Sequence, residues 1–106
     1  MITFNEFKKM EIKVGEVKEV KEHPNANKLY ILTVDIGGQL RQLVAGIKEY
    51  YQPNELLNKQ IVVVANLEPA IIRGVKSEGM LLAAQDENSI SVLTIDKPVK
   101  SGSLVR

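Results

Sequence analysis

Gly37-Gly38 separates two stretches in which hydrophobic residues alternate with polar ones, and this pattern requires a tight antiparallel hairpin. A two-residue turn there pairs Ile36 with Gln39, Val34 with Arg41 and Leu32 with Leu43. Side chains alternate across a strand, so Tyr30, Leu32, Val34, Ile36 and Leu43 share one face, which is assigned to the core. A fold built around this hairpin needs further strands to cover that face.

The flanking segments supply them. Between Glu11 and Glu22 the apolar residues Ile12, Val14, Val17 and Val20 are all β-branched, which favours a strand over a helix. A bulge near Gly15 accounts for the change from even to odd apolar positions, giving one long bent strand that ends before Pro24. Ile61 to Val64 reads as a buried strand, Met80 to Ala84 as another, and Ile90 to Ile95 as a further one. Ser101-Gly102-Ser103 forms a turn before a short strand at Leu104–Val105. Helical content is confined to two places. Thr3-Phe4-Asn5-Glu6 is a capping box that starts a short helix over Phe4–Lys9, with Ile2 and Phe7 placed as a hydrophobic staple. Ile47 to Asn58 is helix-like but split by Pro53.

The expected fold class is therefore all-β. The layout fits a five-stranded barrel of the OB type with a helix between strands three and four, plus a short N-terminal helix and a C-terminal extension. An SH3-like barrel and a small α+β fold are the other architectures that fit. The 106 residues make one domain spanning 1–106, with no internal repeat.

Little in the chain supports catalysis. It has no cysteine, which removes disulfides, thiol nucleophiles and thiolate metal sites. The one histidine, His23, stands in a His-Pro-Asn turn with no metal-ligand spacing around it, a setting more often structural than catalytic. There is no nucleophile elbow and no phosphate loop. No cofactor is expected. Fourteen Lys/Arg against thirteen Asp/Glu leave a net charge of +1, so any nucleic-acid binding must rely on a local basic patch and on shape. The longest apolar run, Ile61–Ala65, is far too short to span a membrane, and Met1–Glu6 lacks the blocks of a secretion signal. A cytoplasmic protein without a membrane partner is expected.

The stretch from Asn66 to Met80 lies between two strands. Its glycines permit close backbone approach, Arg73 and Lys76 offer phosphate contacts, and Asn66 and Ser77 offer hydrogen bonds to base or sugar. Met80 offers a flexible thioether. Residue types alone fit a polar connection, with Met80 in the core, better than they fit a ligand-facing loop.

At this loop, however, Asn66-Leu67, Pro69 and Arg73-Gly74-Val75-Lys76-Ser77-Glu78-Gly79-Met80-Leu81-Leu82-Ala83-Ala84 closely resemble the signature of the tRNA-binding OB domain. That domain occurs at the C-terminus of many methionyl-tRNA synthetases, as a free-standing structure-specific tRNA-binding protein, and in the endothelial-monocyte-activating polypeptide group. Glu11-Ile12-Lys13-Val14-Gly15, His23-Pro24-Asn25-Ala26-Asn27-Lys28-Leu29-Tyr30 and Arg41-Gln42-Leu43-Val44-Ala45-Gly46 agree as well, in the same order along essentially the whole chain.

The resemblance implies a non-catalytic barrel that holds the outer elbow of tRNA, acting as the free-standing beta subunit beside a methionyl-tRNA synthetase catalytic subunit, and forming homodimers through elements flanking the barrel. It assigns Lys28, Arg73 and Lys76 to phosphates, and Asn66, Ser77 and Met80 to a pocket for an exposed loop base. Family members often carry a basic residue where this chain has Ala70-Ile71-Ile72, so a less positive loop is implied. The alternative is a protein-docking or dimerisation module with weakened RNA affinity, in which Ile71 and Ile72 are the contact residues.

Overall fold

The expected hairpin forms with the expected register. In the computed structural model, which describes residues 1–106, β2 (Tyr30–Ile36) and β3 (Gln39–Ala45) pair Ile36 with Gln39, Val34 with Arg41 and Leu32 with Leu43. Gly37 and Gly38 both adopt positive φ, 68° and 90°, as a two-residue turn of this hand requires. Tyr30, Leu32, Val34, Ile36 and Leu43 are all buried. They join Val17, Ile61 and Val63 in the main core, which fills the inside of a curled sheet.

That sheet is antiparallel, in the order β3-β2-β1-β4-β7, with β1 at Ile12–Glu22, β4 at Gln60–Val64 and β7 at Met80–Leu81. The helix between the third and fourth strands, α2 (Pro53–Leu56), is shorter than the apolar content of Ile47–Asn58 suggests. Pro53 starts it, and residues 48–50 form only turns. Leu56, with no exposed surface, plugs the barrel from α2. With the five main strands in this arrangement, the expected OB-type barrel is borne out. No helix is long and apolar enough to cross a membrane.

Three local expectations are corrected. The bulge in β1 lies at Lys18, between Val17 and Glu19, not at Gly15. The even-to-odd switch at Gly15 has another cause: the first half of β1 is buried on both faces. Val17 points into the barrel. Ile12 packs on the opposite face with Val62 and Val64, beneath Phe7, Leu82, Ile95 and Val105. Gly15 is needed because a Cβ there would stand 2.5 Å from Val34 Cγ1. Second, Met80–Ala84 is not one strand. The chain changes sheets at Leu82, whose N–H donates to Val62 O while its carbonyl accepts from Leu93 N. Beyond it, β8 (Ala83–Gln85) pairs with β9 (Ile90–Val92), which is shorter than the strand expected over Ile90–Ile95. Third, the connection between β4 and β7 is not a plain loop. It contains a hairpin of β5 (Ala70–Ile72) and β6 (Val75–Ser77).

The ends of the chain are tied to β1. Thr3 and Glu6 complete the capping box of α1 (Phe4–Lys8), each side chain accepting from the other residue's backbone N–H. Ile2, expected to staple against Phe7, is instead 67% exposed. The C-terminal chain takes the edge of β1 that β2 leaves free: Val14 N donates to Ser103 O, and Val105 N to Ile12 O.

Gly15→Ala is expected to destabilise the protein by about 1–3 kcal/mol, since Val34 must give way in a packed core. The measurement is the urea midpoint, which should fall while the slope of the transition stays unchanged.

Candidate nucleic-acid interface

Between Gln39 and Ala45, β3 is an edge strand, and its outward N–H groups need partners to close the barrel. The end of β6 and the residue after it supply them with side chains. Ser77 Oγ accepts from Val44 N at 3.0 Å, and Glu78 Oε1 accepts from Gln42 N at 3.0 Å. Glu78 N donates back to Gln42 O at 2.7 Å, and Gln42 Nε2 donates to Lys76 O at 2.8 Å. Gly79 permits the approach, because a Cβ there would meet Leu43 Cδ2 at 2.9 Å and Val64 O at 3.2 Å. Arg41 completes the seam by donating to the carbonyls of Ala65 and Glu78.

This closure mounts the β5–β6 hairpin outside the barrel. Its two-residue turn is Arg73-Gly74, with φ of 51° and 89°. Arginine in this left-handed region costs roughly 1 kcal/mol relative to an ordinary backbone conformation, whereas glycine is at ease there. Ile71 and Lys76 pair across the hairpin and are both exposed. The tip is linked to the connection between β1 and β2 through His23. His23 is only 5% exposed, and its Nδ1 accepts from Asn25 N at 3.0 Å. Its Nε2 therefore carries the proton and donates to Ile72 O at 3.1 Å. Arg73 then faces a shallow concavity together with Ala26, Asn27, Lys28 and Leu29.

Charge is distributed unevenly over this surface. Each lysine of β1 is matched by a glutamate two residues before it: Lys13 by Glu11, Lys18 by Glu16 and Lys21 by Glu19. The hydrogen bond that the Lys18 ammonium donates to Glu16 holds it above its usual pKa. Lys48 pairs with Glu22 at 2.9 Å, while Lys28 reaches Glu49 only at 3.9 Å. Arg73 and Lys76 form no ion pair. The hairpin thus presents two exposed cations outside any ion pair on a nearly neutral protein.

The six residues singled out in the sequence divide into groups. Lys28 and Arg73 come together around one concavity. Lys76 lies on the outer face of the same hairpin. Met80 is 49% exposed, not core, and borders a second hollow with Ser77, Leu67, Ala70 and Ile72. Ser77 itself is buried, accepting from Val44 N and donating to Gly79 O at 3.0 Å. Asn66 does not line that hollow. Its Nδ2 donates to Lys9 O and its Oδ1 accepts from Glu11 N, which fastens the segment after α1 to the barrel. Sequence reading missed the hairpin, although an Xaa-Gly pair between Ile71-Ile72 and Val75 was its signal. It also missed Gln42 and Glu78, whose closing role depends on a contact distant in sequence. No group of three His, Asp or Glu side chains gathers in a way that suits a metal ion.

Residues 12–104 match the model of a family described as putative tRNA binding domain. The chain is 54% identical over 105 residues to methionine–tRNA ligase of Pyrococcus furiosus, covering 99% of this chain and 14% of that enzyme. It is 45% identical over 104 residues to the corresponding ligase of Thermotoga maritima, covering 98% of this chain and 16% of the enzyme. The chain therefore spans only a small part of the curated relatives it matches. Among solved structures, a MetRS-related protein from Pyrococcus horikoshii superimposes with a TM-score of 0.93 at 34% identity, covering 100% of this chain and 98% of that one. A CsaA chaperone protein from Picrophilus torridus superimposes with a TM-score of 0.92 at 34% identity, covering both chains completely.

Ser77→Ala is expected to cost about 1–3 kcal/mol of stability, because it leaves the Val44 N–H without a partner at the seam. Chemical denaturation measures the loss, and faster hydrogen exchange at the Val44 amide locates it.

Proposed function

The chain belongs to the putative tRNA binding domain family, and from that membership we propose that it grips the outer elbow of folded tRNA without catalysing a reaction. The observation that carries this reading is Arg73. It is held in a left-handed conformation at a hairpin tip, free of any ion pair, facing Lys28 across one concavity. A strained backbone conformation that presents a bare cation is better explained by a ligand than by folding. Lys28, Arg73 and Lys76 contact phosphates and set the position of the RNA. Met80 gives an exposed base an apolar surface. Ser77 supports the site from behind, its hydroxyl being engaged within the protein, while Asn66 holds the segment after α1 to the barrel.

The aromatic residues favour recognition of folded RNA. Tyr30 is buried, and Tyr51 is tied into the barrel, its hydroxyl accepting from Val92 N. The hairpin has no aromatic ring on which successive bases could stack, as a single-strand binder requires.

The finer assignment is a free-standing cytoplasmic subunit that assists a methionyl-tRNA synthetase, acting as a homodimer. Support for the dimer comes from the surface between α1 and the C-terminal segment. Phe4, Met10 and Leu104 are 72%, 42% and 60% exposed around a groove that Phe7 and Val105 also line. A second copy of the chain is the proposed cover. A docking module with reduced RNA affinity is the second reading. It is favoured by Ile71, 70% exposed on the hairpin, and by the likeness to a protein described as a chaperone.

Arg73→Ala and Lys76→Ala should each weaken binding to all tRNAs, Arg73→Ala by roughly tenfold, and each should lower the salt slope by about one. Fluorescence anisotropy at several salt concentrations measures both. Equal affinity for folded tRNA and a single-stranded oligomer removes the elbow assignment, and no tRNA binding at low salt favours the docking reading. Sedimentation at micromolar protein should show a dimer; a single species near 11.8 kDa refutes it.

A further inference from the structure

We propose that His23 is a positioning residue for RNA binding: its imidazole holds Arg73 opposite Lys28, so that both cations meet one stretch of phosphate backbone. This rests on the tRNA-binding reading above. His23 lies outside the barrel core and touches no proposed ligand; it acts through its neighbours. Lys28 sits on the connection after β1 and Arg73 on the β5–β6 turn, two segments far apart in sequence. One hydrogen bond joins these segments, from His23 Nε2 to Ile72 O. Ile72 is the residue immediately before Arg73, so this bond fixes the carbonyl from which the strained turn departs.

The other side of the ring fixes the other cation. Nδ1 accepts from Asn25 N, and His23 N donates to Leu29 O at 3.2 Å. These two bonds close the 23–29 connection around Lys28. The imidazole is well suited to the task because it is rigid and has an acceptor and a donor on separate edges. A second proton on Nδ1 would oppose the Asn25 N–H, so the bridge needs the neutral ring with the proton on Nε2. The lone histidine thereby couples two surface segments into one site. In the regular ladder β5 and β6 pair only with each other, so the bond from His23 is what ties the tip of their hairpin to the 23–29 connection.

Two conservative variants separate the edges of the ring. His23→Gln keeps a donor near Nε2 but loses the acceptor. His23→Asn keeps an acceptor near Nδ1 but loses the bond to Ile72. Both are made in the full chain, with and without Arg73→Ala, and titrated against folded tRNA well below their unfolding midpoints. Each variant should bind about fivefold more weakly than the unmodified chain, the equivalent of one ordinary hydrogen bond. The loss in His23→Asn should vanish in the Arg73→Ala background, because the bond to Ile72 acts through Arg73. Unchanged affinity in His23→Asn, or a loss that persists without Arg73, overturns the positioning role. Should either variant fail to fold, nitrogen chemical shifts of the unmodified His23 decide: a proton on Nδ1 in the tRNA complex overturns the proposal. Failure of the underlying reading is separate, appearing as unchanged tRNA affinity in both Arg73→Ala and Lys28→Ala.

Discussion

The seam between β3 and residues 76–79 is the constraint on which the rest of the molecule depends. A curled sheet leaves two edges, and their backbone groups must be paired or exposed to water. Here one edge is satisfied mainly by side chains: Ser77 serves Val44, and Glu78 serves Gln42 while its own N–H returns a bond. Side-chain closure permits a sharper approach than a regular ladder, and Gly79 makes room for it. The same residues that close the barrel anchor the β5–β6 hairpin. The stability of the fold and the location of the basic patch therefore share one set of hydrogen bonds.

That overlap explains why Asn66–Ala84 is so distinctive in the sequence. The stretch combines two kinds of requirement. Ser77, Glu78 and Gly79 answer to barrel closure, whereas Arg73 and Lys76 have no structural partner. Reading the stretch as a single binding motif merges them. Ser77 and Asn66, both chosen for their hydrogen-bonding capacity, use that capacity inside the protein.

Much of the fold was legible because its signals are local. Alternation around Gly37-Gly38 specified the β2–β3 register, and Thr3 with Glu6 specified the start of α1. What escaped depends on distant contacts. The double burial of β1 imitates a bulge at Gly15, because the terminal segments that cover its outer face are remote in sequence. Leu82 is apolar like its neighbours, and only the strands around it make it a switch between sheets. The net charge of +1 likewise conceals the local electrostatics: glutamates two residues away neutralise the β1 lysines, and the hairpin cations are left bare. The six candidate residues were legible as chemical types, but not by the direction in which their polar atoms point.

The left-handed turn at Arg73-Gly74 sets two kinds of selection against each other at a single residue. Folding alone favours glycine or asparagine at position 73, since both tolerate positive φ more readily than arginine. Drift toward a sturdier protein would therefore run through this position and discharge the hairpin tip as it went. A chain that keeps arginine there gives up a small amount of robustness to retain an exposed cation at the tip of the hairpin, and thermostabilising substitutions chosen by backbone preference would erase that cation first.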